Sequence, residues 1–219
     1  MMVELIPVIE IRYSDPGIPF PEEVSYWLQP KAWDEFHALN YKKARLPDLP
    51  APYLPGSAFF KVLDLPDAAL EKIILDHTEE FRTTIYERGQ ASPLSGGCVL
   101  RINSQDIFFP QCCGELSDIR FWEKLVTEDK PGYFEGHPVP EVLILGGRVQ
   151  FSFEVNEFDE LFIPPPPYNK VEIEKHDLAT AVTQAMKVLG EFAERVEQVN
   201  RKYNLGINRI DKLLVWGNQ

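Results

Sequence analysis

The chain predicts an α+β fold, an antiparallel or mixed sheet carrying a long C-terminal amphipathic helix, and two stretches predict it. In the first, EVLIL and RVQFSFEV flank Gly146-Gly147. Val149, Phe151, Phe153 and Val155 alternate with polar residues, and a glycine pair can supply the positive φ angles of a two-residue turn. Such a turn sets Ile144 opposite Val149 and Val142 opposite Phe151, so the apolar side chains share one face. In the second, Leu178, Ala181, Val182, Ala185, Leu189, Phe192, Val196, Val199 and Tyr203 recur at helical spacing after Asp177, which reads as the helix cap. A helix of that length reaches roughly 40 Å. Glu191, Glu194, Arg195, Glu197 and Lys202 make its solvated face, so its stripe must cover something. A single domain over residues 1–219 follows, with the proline tract Pro164–Pro167 as the one place for an internal boundary.

The remaining elements follow in order. Val3, Leu5, Ile9, Ile11 and Tyr13 alternate as a strand with one buried face. Pro7 falls on that face and cannot donate a ladder hydrogen bond, which argues for an edge or a bulge. DPGIPFPEE is a turn-rich loop. Lys31 to Ala44 reads as a helix offering Trp33, Phe36 and Tyr41. Prolines at 47, 50, 52 and 55 make an extended, stiff connector. Phe59 to Leu63 reads as a short strand. Asp67 opens a helix running towards Arg88, with Leu70, Ile73, Ile74, His77, Phe81 and Ile85 on one face and Gly89 as its stop. Val99–Ile102 and Ile107–Phe109 form a hairpin across NSQD. Ser117 caps a helix with Asp118 in its first turn and Ile119, Trp122, Leu125 and Val126 as its stripe. EDKPGYFEGHPVP is a loop. Val171 and Ile173 mark a strand, Gly206 ends the long helix, and IDKLLVWG reads as a last strand.

With 44% hydrophobic and 26% charged residues in 219, the composition is that of a soluble chain able to bury a core without disulfides. The net charge of −12, from 34 acidic and 22 basic residues, disfavours direct nucleic-acid binding and suits a basic protein partner. No run approaches the ~18 apolar residues of a membrane helix, and the N-terminus lacks the layout of a signal peptide. Three cysteines cannot all pair within one chain, which fits a reducing cytoplasm.

Cys112-Cys113 is the first candidate site. Adjacent thiols can hold a soft metal ion or close into a strained disulfide. Against that, cysteine is often a small buried hydrophobe, and neighbours on a strand point to opposite faces. A zinc site from Cys98, Cys112, Cys113 and His137 lacks any C-x-x-C pair. A cysteine nucleophile needs a base, which His137 or His176 would have to supply in space. His77 reads as a hydrogen-bonded core histidine. No phosphate-binding glycine loop and no G-x-S-x-G elbow occurs, and no cofactor is implied.

The second candidate is a surface. Glu115, Asp118 and Glu123 cluster around Trp122, and Glu157, Asp159 and Glu160 continue an acidic run that starts at Glu154. Acidic groups around an aromatic anchor suit a basic partner, although Trp122 shares its spacing with the buried stripe of Ile119 and Leu125. The segment FFPQCCGELSDIRFWEKL, Phe108 to Leu125, resembles one in small bacterial proteins, some of them similar to the immunity proteins of toxin systems. That resemblance implies a catalytically inert cytoplasmic binder that occupies a toxin. The first reading is therefore a non-catalytic protein-binding domain. The alternative is an enzyme, or a small-molecule or soft-metal binder, built on Cys112, Cys113 and the His137 loop.

Overall fold

A computed structural model describes residues 1–154 and 160–217. The fold is α+β, with antiparallel sheets and a long C-terminal helix packed on them. Two compact units form, and neither is one continuous piece of chain. The first holds Met1–Pro7 and 95–190; the second holds 8–94 and 191–219. The tract Pro164–Pro167 lies inside the first unit.

In the first unit, strand β1 (Val3–Glu10) contributes its opening residues beside β3 (Gly96–Ile102), which pairs with β4 (Gln105–Phe108). The connection of that hairpin shrinks to Asn103-Ser104, with φ +47° and +67°. Two successive positive φ angles are the mark of a type I′ turn, whose twist matches that of the strands it joins. Glu115 and Leu116–Asp118 then lead into helix α4 (Ile119–Thr127). Ser117 does not cap it as its position suggested. Its hydroxyl donates to Glu115 Oε2, and the Asp118 carboxylate takes the Glu115 N–H instead. The three-stranded sheet runs β5 (Glu141–Leu145), β6 (Arg148–Ser152), β7 (Lys170–Glu174), all antiparallel. Its register pairs Ile144 with Val149 and Val142 with Phe151, as the two-residue turn requires, and Gly146 carries φ +63°. Val155, the last residue of the alternating run, lies outside the described residues. The core joins Phe108, Trp122, Phe151 and Phe153 with Leu178, Ala181, Val182, Ala185 and Leu189 of helix α5 (Lys175–Lys202). Helix α5 begins at Lys175, so Asp177 sits in its first turn rather than at its cap.

In the second unit, β1 pairs with β2 (Phe59–Lys61) from Val8 to Glu10. Pro7 lies just beyond that pairing, so its missing N–H costs no bond on that side. Helix α1 spans Pro30–Lys43, and the prolines from 47 to 55 lie in neither helix nor strand. The helix expected from Asp67 to Arg88 is broken. Helix α2 (Asp67–His77) ends at Thr78, a short α3 (Glu79–Arg82) follows, and Ile85 is 71% exposed. Buried Thr78 donates its hydroxyl to the Ile74 carbonyl, a local bond that competes with the helix ladder. Arg195 of α5 donates to the carbonyls of Val62, Leu63 and Leu65 and to Asp67. The expected final strand is instead a π-helical turn, Lys212–Trp216, which buries Leu213, Leu214 and Val215 in succession. A short apolar run fits either a strand or a buried helical turn. Among the described residues no helix is long and apolar enough to cross a membrane.

Candidate functional site

Cys112 and Cys113 are the two central residues of a tight turn in the first unit. The Gly114 N–H donates to the Gln111 carbonyl at 3.0 Å, and Cys113 takes φ +64°. A positive φ at the third position of a turn is unfavourable for a residue with a side chain, so surrounding bonds must hold it. On one flank the Gly96 N–H donates to the Gly114 carbonyl, and Ser95 bridges Glu115. A Cβ on Gly114 would meet Gly96 O at 2.9 Å and Gln111 O at 3.0 Å, so that position is closed to any larger residue. On the other flank Cys112 bridges His137, whose N–H donates to the Cys112 carbonyl at 3.0 Å. Buried Gln111 fastens the base of the turn. Its amide donates to Phe109 O and accepts the Ile163 N–H at 2.8 Å.

The outcome departs from the buried-corner expectation. Both thiols are exposed, and a turn, unlike a strand, lets neighbouring side chains converge. Their sulfurs stand 3.6 Å apart. A His137 ring nitrogen joins them, the three ligand atoms all lying within 4.8 Å of one another. Glu160 accepts or shares a proton with His137 Nδ1 at 3.0 Å, which leaves Nε2 for a ligand. Cys98 is buried on β3 and takes no part among the described residues; burial pushes its thiol pKa well up. His176 lies beside Asp177 on α5, exposed.

Beneath the turn sit the acidic residues. Asp118 is buried, accepting the Glu135 N–H at 2.8 Å and the Glu115 N–H at 3.2 Å. Burial raises its pKa to about 6 against the pull of those backbone donors. Burial likewise raises Glu115 to about 7; the Ser117 hydroxyl opposes the shift, and the charges of Glu135 and Asp118 add to it. Glu123 pairs with Arg120 at 2.6 Å on the surface of α4. Trp122 is 1% exposed, packed among Phe108, Phe121 and Phe151 in tilted and edge-to-face contacts, and offers nothing to a partner. Glu157 and Asp159 lie outside the described residues.

Gln111, Glu135 and the pairing of Glu160 with His137 were not legible in the sequence, because each acts through a contact distant along the chain. The second unit adds a feature equally hidden, a cavity of about 560 Å³ between α1 and the proline arm. His37, Tyr41, Leu46, Pro50, Ser57 and Phe60 are among its walls. His37 is also the histidine whose pKa burial pulls down. The size suits a small ligand. Three of its polar groups serve the fold: Tyr41 donates to Ile11 O, Ser57 to Leu54 O, and Asp34 accepts the Gly56 N–H, whereas the buried Nδ1 of His37 meets no hydrogen-bond partner among the described residues. His77 hydrogen-bonds Ser92 O through Nε2, half-buried rather than in the core.

No family model, no curated protein and no solved structure matches this chain.

Proposed function

We propose that this chain binds a thiophilic metal ion through Cys112, Cys113 and His137. The observation that carries the reading is the convergence of two exposed sulfurs of one turn with the imidazole of the segment bridged to it. Two Zn–S bonds of about 2.3 Å at a tetrahedral angle place their sulfurs about 3.8 Å apart. Cys112 and Cys113 already stand at 3.6 Å. The ligand nitrogen of His137 lies within 4.8 Å of both sulfurs. Two sulfurs and one nitrogen select zinc or cuprous copper over calcium or magnesium. Three protein ligands leave a fourth position for water or a second molecule. Glu160 on Nδ1 would set the ring's tautomer and orientation, as a carboxylate behind a ligating histidine does.

Zinc titration of the reduced chain against a chromogenic chelator tests the reading. One ion per chain is expected, with affinity falling at least tenfold in Cys112→Ser, Cys113→Ser and His137→Ala, and by about tenfold in Glu160→Gln. Uptake that none of these substitutions changes would place the metal elsewhere and end the proposal. A second reading is carried by the charge of −12: a non-catalytic binder, of immunity type, receiving a basic protein partner. Glu123 and Glu160 then remain as surface contacts. That association would weaken steeply with added salt.

A further inference from the structure

We propose that the same turn is a redox gate, in which a disulfide between Cys112 and Cys113 and a bound metal ion exclude one another. The inference rests on the metal-binding reading and adds its regulation.

The two sulfurs are in contact at 3.6 Å, so closing a disulfide needs a further approach of about 1.6 Å and no movement of a distant segment. Both thiols are exposed and open to a small oxidant. Cys98, the only other cysteine, is buried on β3 and cannot compete as the resolving thiol. The turn is fastened on both flanks, at Gly96 and at His137, so the pair stays together in either state.

The chemistry balances with a low-molecular-weight disulfide as oxidant. One cysteine thiolate attacks a sulfur of the oxidant, forming a mixed disulfide and expelling one small thiolate. The neighbouring thiolate attacks the protein sulfur of that mixed disulfide and expels the second. Two electrons pass to the oxidant, whose S–S bond breaks as the protein's forms. The two protons leave with the departing thiols. Both metal-binding sulfurs are consumed together, so His137 is left without its partners and the ion departs.

Adjacent residues joined by a trans peptide hold their Cα atoms about 3.8 Å apart, short of the span of about 4.4–6.8 Å that an unstrained disulfide prefers. The closed ring is therefore strained, and strained disulfides are the readily reduced, regulatory kind. Oxidation is reversible, and a metal ion that fills the turn protects it.

The test uses the full chain and glutathione disulfide. Oxidation of the metal-stripped protein should remove two hydrogens, leave no glutathione adduct, and cut the titratable thiols of the denatured chain from three to one. Zinc uptake should drop at least tenfold and return with dithiothreitol. Zinc-saturated protein should oxidise at least tenfold more slowly, and Cys98→Ser should behave as the parent does. Cys112→Ser should stop at a stable glutathione adduct on Cys113. If the reduced chain takes up zinc but oxidation leaves adducts in place of the internal disulfide, or leaves uptake unchanged, the gate alone is overturned. If the reduced chain takes up no zinc, the metal reading fails and the gate fails with it.

Discussion

Asp118 is the carboxylate around which the thiol turn and the His137 loop are gathered, and its protonation has a measurable sign. Its pKa rises from 3.8 to about 6 in the folded chain. Between those values the folded state keeps a proton that the unfolded state has released. The associated stability is therefore fully present below pH ~4 and is lost as pH climbs through about 6. A rise of that size is worth at most about 3 kcal/mol. Glu115 acts in the same direction over a window extending to about pH 7. Thermal melts from pH 4 to pH 8 should show the parent losing more stability across this window than Asp118→Asn does. Parallel profiles would mean that the carboxyl is ionised throughout. At this scale the sequence singled out the residues that converge but misjudged their surroundings. The thiol pair, His137 and Glu160 all stood out, yet strand alternation argued against convergence. The decisive fact is one backbone angle, φ +64° at Cys113, held by contacts with β3, Ile163 and the 137 region. No local pattern encodes it.

Helix α5 was the most legible element, because its stripe repeats over seven turns. Leu178 to Val199 are buried as their spacing demands, and only Tyr203 falls outside, 41% exposed. The β5–β6 hairpin was legible for the same reason. Its alternation and its two glycines agree, so register followed from pattern alone. Elements decided by single contacts were not legible, as the break at Thr78 and the helical turn at Lys212–Trp216 show. One residue of α5 works against the helix it occupies. Gly190 stands mid-helix, and a Cβ there would meet nothing within 4 Å. Gly190→Ala should therefore stabilise the chain by about 0.5–1 kcal/mol, the difference in helix propensity with no clash to offset it. Urea unfolding would read the gain as a higher midpoint at constant slope. A lower midpoint would mean that the glycine serves a motion the helix needs.

Across the molecule, 34 acidic against 22 basic residues leave a net charge of −12, and such an excess repels itself in the compact state. Raising sodium chloride from about 10 mM to about 150 mM shortens the screening length to about 8 Å. The melting temperature at neutral pH should rise by a few degrees. A fall would show that surface ion pairs such as Lys202–Glu71 and Lys175–Asp129 outweigh the repulsion. The interleaving of the two units also dictates an order of events at the ribosome. Every segment of the first unit has been synthesised once residue 190 is made, whereas the second unit waits for the segment that begins at Glu191. Its earlier segment, which ends at Leu94, is by then nearly a hundred residues old. At about 5–20 residues per second the delay amounts to roughly five to twenty seconds. Throughout that interval Ile9, Phe60, Leu70 and Ile74 belong to a fragment lacking Phe192, Val196 and Leu214, and nascent-chain chaperones have that long to reach it.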